Sequence, residues 1–132
     1  MDRRSCLTLA AMGAAGLAMS LPARAAALPI ILYVDLSVDP AKEKDFLDAY
    51  HTHFKPVAKK HEGYVDLTIA KIDKVMQGPS PAKGINYRFQ LTWASEDLRQ
   101  KWVASADHVA NWPLLEKTLI DKNYPVILTH AV

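Results

Sequence analysis

The chain has 132 residues, half of them apolar, and a formal net charge of +2. That length suits one domain with a workable core and leaves no room for a second. Of the 16 basic and 14 acidic residues, three and one fall in the first 25 positions, so 13 of each remain beyond them and no basic stripe is left for nucleic acid or an anionic membrane.

The first 25 residues read as an address and not as part of the fold. Arg3 and Arg4 open it, an uncharged run from Cys6 to Leu21 follows, and Ala23-Arg24-Ala25 offers small residues where a signal peptidase reads. The run is short and rich in Gly and Ala, which disfavours a membrane anchor. Asp2 to Leu7 resembles a twin-arginine export signal. The expectation is cleavage near Ala26 and a periplasmic or otherwise exported protein without stable membrane association. Cys6 is the only cysteine, so the remainder has no disulfide, thiolate nucleophile or cysteine metal site.

The domain is expected over 29–132. Pro29 to Val38 alternates as a strand, with Leu32, Val34, Leu36 and Val38 on one face and Tyr33, Asp35 and Ser37 on the other. Asp39 as N-cap and Pro40 at the first helical position start a helix that runs to about His61. Phe46, Leu47, Tyr50, Phe54 and Val57 make its buried stripe, and Pro56 predicts a kink or early end near Lys55. Gly63 suits a left-handed cap.

Tyr64 to Ile72 is the second strand, with Val65, Leu67 and Ile69 inward. A loop over 77–84 leads to the third strand, where Ile85, Tyr87, Phe89, Leu91 and Trp93 alternate with Asn86, Arg88, Gln90 and Thr92. Ser95 caps a second helix, with Glu96 and Asp97 on its first turn and Leu98, Trp102, Ala106 and Val109 as its inner side. Asn111-Trp112-Pro113 is expected to break and restart that helix. Val126 to His130 is the last strand. The order βαββαβ predicts a ferredoxin-like α+β fold: an antiparallel four-stranded sheet with both helices on one face. The opposite face mixes Tyr33, Asp35, Asp66, Thr68, Arg88, Gln90 and Thr92. Arg88 is expected to pair with Asp35 or Asp66, and a second copy of the chain to cover the face.

Most candidate chemistry lies between Ile85 and Trp112. His108 follows a turn and neighbours two tryptophans, where a neutral imidazole takes a phenolic proton. Trp93 and Trp102 read as walls for a flat substrate, with Tyr50, Phe89 and Trp112 as further contacts. His53 sits at the edge of the first helix stripe, within reach of such a pocket. His51 and His53 fall on different sides of a helix, so no metal site is assigned to them. His61, at the helix end, suits a favourable C-terminal charge.

From Leu32 to Val132 the chain resembles the antibiotic biosynthesis monooxygenase family of the dimeric α+β barrel superfamily. The carriers are Asp39-Pro40-Ala41-Lys42 leading to Phe46, the Glu62-Gly63-Tyr64 turn, Phe89 to Trp93 running into Ser95-Glu96, and Ser105-Ala106-Asp107-His108. The resemblance implies a homodimer with facing sheets and a pocket between each sheet and its helices. It also implies oxidation of a small aromatic or quinol by O2 with no cofactor, neither metal nor flavin, and it singles out His108 as the catalytic residue. The chain departs from the family at Trp102, where many members carry histidine. The heme-degrading relatives place their axial histidine at the position of Trp112 and an asparagine at that of Tyr33, so the resemblance does not extend to that heme site. A non-catalytic periplasmic protein that binds a small hydrophobic molecule is the alternative class.

Overall fold

The computed structural model describes residues 28–132. The export signal expected over 1–25 lies outside them. Four strands form one antiparallel sheet in the order β2-β3-β1-β4: β1 (Ile30–Leu36), β2 (Tyr64–Lys71), β3 (Tyr87–Trp93) and β4 (Val126–His130). This is the ferredoxin-like arrangement expected from the element order. Register places Leu32 opposite Leu91, Val34 opposite Phe89 and Leu36 opposite Tyr87, so the apolar residues of the central strands share one face. That face is buried: Leu36 has no solvent exposure and Phe89 almost none. At the sheet's far side the two ends of the described chain meet, and the Ala131 N–H donates to the Pro29 carbonyl at 3.0 Å.

The first helical segment has three parts. Asp39 accepts from the Ala41 N–H and caps a short 3-10 turn (Pro40–Lys42), which leads into α1 (Glu43–Ala49). A π-helical turn (Tyr50–Phe54) follows, in which the Lys55 N–H reaches back five residues to the Tyr50 carbonyl, and α2 (Lys55–Ala58) completes the segment. The expected disturbance near Lys55 is therefore a widened turn. Pro56 has no N–H to give, and the wide turn comes just before it. Tyr50 and Phe54 stay buried across it.

Gly63 turns the chain into β2 with φ +94°. Within β2 the pairing shifts between Tyr64 and Asp66, leaving Val65 as the extra residue of a bulge. Val65, expected inward, is half exposed as a result, and Tyr64 packs on Trp93 instead.

The second helical segment breaks at Ser105 and not at Asn111-Trp112-Pro113. α3 (Glu96–Ala104) ends there and α4 (Ala106–Glu116) begins, with Pro113 inside α4. Ser105 serves both helices: its hydroxyl donates to the Trp102 carbonyl at 2.6 Å and accepts from the His108 N–H at 3.3 Å. The break resets the phase of the inner face. Ala106 and Val109 point to solvent, whereas His108, Trp112 and Leu115 turn inward.

Candidate functional site

Between the sheet and the helices lies a cavity of about 150 Å³. Its floor is Leu32 and Val34 of β1, Phe89 and Leu91 of β3 and Val126 of β4. The π-helical turn supplies Phe54. From α3 come Arg99, Trp102 and Val103, from α4 come His108 and Trp112, and Tyr124 closes the side next to β4.

His108 is held by aromatic rings. Trp102 meets it edge-on at 5.2 Å between centroids, Trp112 stacks on it at 6.0 Å with 15° between planes, and Phe54 is 5.9 Å away. Its ring nitrogens make no hydrogen bond to any described residue. Burial pushes the proton affinity of the imidazole below its usual value, and the charge of Arg99 pushes it the same way. His108 is therefore a neutral base at the cavity wall near pH 7.

Trp112 is fixed from behind. Its indole N–H donates to the Tyr124 hydroxyl at 3.0 Å, and that hydroxyl donates to Glu116 at 2.9 Å. Burial and the Glu116 carboxylate push Tyr124 up to about 12, so its proton stays in place. Arg99 is fixed as well: Glu96 accepts from its Nε and Nη2 at 2.7 and 2.8 Å and from Gln100 at 2.9 Å. Trp102 is 1% exposed, and its indole N–H has no hydrogen-bond acceptor among the described residues. An unpaired buried donor costs about 1–3 kcal/mol, which the surrounding rings must offset.

Four of the residues expected at a site line this cavity: His108, Trp102, Phe89 and Trp112. Three do not. Trp93 stands behind Trp102, stacked on it at 5.9 Å and buried in the core. Tyr50 is buried too, with its hydroxyl donating to the Leu67 carbonyl at 3.0 Å. His53 is exposed and borders a separate surface hollow with Asp45 and Asp48. Successive residues rotate less in a π-turn than in an α-helix, so the position three beyond Tyr50 falls short of the buried side. His61 is more than a dipole partner: its Nε2 lies 2.8 Å from the Asp107 carboxylate, and its ring packs 4.7 Å from that of Trp102. Arg99 and Tyr124 belong to the cavity without having been expected there. The spacing of Glu96 and Arg99, three apart on one helix face, was the available signal.

No family model and no curated protein matches the sequence. Solved structures do match. A Bordetella bronchiseptica protein assigned provisionally to the antibiotic biosynthesis monooxygenases is similar with a TM-score of 0.63 at 17% identity, covering 80% of this chain and 98% of that one. A dimeric ferredoxin-like protein of unknown function from Jannaschia gives 0.62 at 10% identity, over 79% and 98%. SnoaB, a cofactor-independent oxygenase from Streptomyces nogalater, gives 0.56 at 13% identity, over 80% and 92%. At such identities the shared property is architecture: the chain has the ferredoxin-like fold of the antibiotic biosynthesis monooxygenase-like structures it resembles.

Proposed function

We propose that the protein is a cofactor-independent monooxygenase that uses O2 to oxidise a small electron-rich aromatic, a phenol or quinol. The observation that supports this reading best is the imidazole of His108 at the wall of an aromatic cavity, with no hydrogen bond to a described residue and a proton affinity lowered by burial. A cavity of about 150 Å³ is the size that admits a single benzene ring. His108 takes the phenolic proton, which leaves an electron-rich phenolate. One atom of O2 enters the ring as a new carbonyl and the other leaves as water, all the electrons coming from the substrate. The fold shared with a cofactor-independent oxygenase is consistent with this chemistry.

The same reading includes a homodimer joined through the outer sheet face, and a site of action outside the cytoplasm. The first rests on the mixed face of β1 to β3, the second on Arg3-Arg4 and Ala23-Arg24-Ala25. Protein recovered from the cell envelope should begin at or near Ala26 by N-terminal sequencing. An intact Met1 start in the membrane fraction would mean an anchor.

Oxygen uptake by metal-free protein with a panel of phenols and quinols tests the activity. His108→Gln should lower the rate about 100- to 10,000-fold, the usual contribution of a positioned base. Tight ligand binding with no oxygen consumption would make the protein a carrier instead.

A further inference from the structure

Arg99 is the charged group in a wall that is otherwise built from aliphatic and aromatic side chains, His108 and Tyr124. Its counter-ion, Glu96, is not part of the lining. Two of the five guanidinium N–H donors are spent on Glu96, through Nε and Nη2, and the rest have no acceptor among the described residues. The side chain is 19% exposed, so water is all that meets those donors when the cavity is empty, and a ligand with an acceptor can take its place. Glu96 is itself pinned by Gln100, which holds the guanidinium in one place before any ligand arrives.

The other polar groups at the cavity do not compete for this role. The Tyr124 proton is engaged with Glu116, and the Trp102 indole N–H is sealed in the core. A fixed guanidinium at the edge of an apolar wall leaves N–H donors unused when a neutral hydrocarbon binds and offers them to a ligand that carries an acceptor.

We infer that Arg99 is a ligand-binding residue that selects an aromatic carrying an anionic oxygen, a carboxylate or a phenolate, lying against its free N–H groups. This names the substrate class for the oxygenase reading and rests on it only for the aromatic body of the ligand. Arginine suits the task because its planar fork pairs with a carboxylate through two parallel hydrogen bonds.

The test is equilibrium binding to the full protein, read by tryptophan fluorescence, with hydroquinone and 2,5-dihydroxybenzoate as a pair differing in one carboxylate. The parent should bind the acid about 10- to 100-fold more tightly, the range of a charge-assisted hydrogen-bond pair. Arg99→Gln should remove that preference, lowering affinity for the acid far more than for hydroquinone, and Arg99→Lys should retain part of it. Glu96→Gln, which frees the guanidinium, should hold or increase it. The acid preference of the parent should also fall with added salt. A phenolate is distinguished by 4-nitrophenol, whose binding should tighten as it ionises, in the parent and not in Arg99→Gln.

Equal affinity of the parent for charged and neutral probes overturns the inference. So does an Arg99→Gln variant that loses both probes alike while Arg99→Lys keeps no preference. Oxygen uptake in the same samples separates the two readings. Anion-selective binding without uptake removes the oxygenase and keeps Arg99, whereas uptake without selectivity does the reverse.

Discussion

Both influences on the His108 imidazole oppose its proton: the partial burial among rings weakens its hydration, and Arg99 repels a second positive charge. Folding therefore favours the neutral form, whereas the unfolded chain protonates it near the ordinary value of about 6.5. The contribution is fully present above that value and is lost as pH falls through the lower folded one. Thermal melts between about pH 7 and pH 5 should show the parent losing more stability than His108→Gln, because only the parent must protonate this partly buried ring. Parallel losses in the two would mean that His108 is hydrated in the folded state. At this scale the sequence was most readable where chemistry and periodicity agreed. Phe89 and Trp102 repeat with the apolar face of their elements, so their burial could be read directly. Arg99 could not be read this way, since a charge on a helix is usually solvated; its place was decided by the sheet packed beneath it.

Gly63 lies in the turn between the first helical segment and β2. Its φ of +94° lies where side chains are strained, and a Cβ there would stand 2.6 Å from Leu98 Cβ. Gly63→Ala should cost about 1–3 kcal/mol from backbone strain alone, read by denaturant unfolding. Leu98→Ala keeps the Cβ that a Gly63 Cβ would meet, so the double variant should stay less stable than Leu98→Ala alone, and equal stability of the two would remove both the contact and the conformational argument. Strand and helix existence followed from alternation and caps, and all four strands were identified. The irregularities were harder, because each depends on a competition between distant groups. Ser105 ends one helix and begins the next through a single hydroxyl, whereas Pro113 is tolerated inside α4. Pro113 looked the stronger breaker from local chemistry. The Val65 bulge likewise depends on how β2 meets β3, which no window of β2 alone reveals.

Across the whole molecule the helix-free sheet face carries a test of assembly. Arg88 donates to both oxygens of Asp35, at 2.8 and 3.0 Å, and its guanidinium lies 5.4 Å from the centre of the Tyr33 ring. Of the two expected acidic partners, Asp35 is the one engaged. In the single chain Arg88 is 51% exposed, and such a pair contributes about 0–1 kcal/mol. Covered by a second copy, it would be desolvated, and Arg88→Ala would strand Asp35 at a cost of about 3–5 kcal/mol. Sedimentation at low micromolar concentration, together with unfolding of Arg88→Ala, distinguishes the two. A folded monomer whose variant is as stable as the parent would rule out the dimer. Half-exposed Val126, Ile127 and Leu128 on β4 add apolar surface at the sheet edge. The hydrogen bond between Ala131 and Pro29 has a topological consequence: entry and exit of the described chain lie side by side, one rung beyond the β1–β4 ladder. A short bridge between them would close the backbone into a ring without disturbing any strand pairing. The chain could then be reopened in the exposed loop over 77–82, giving a circular permutant in which β3, now first in order, still lies between β1 and β2.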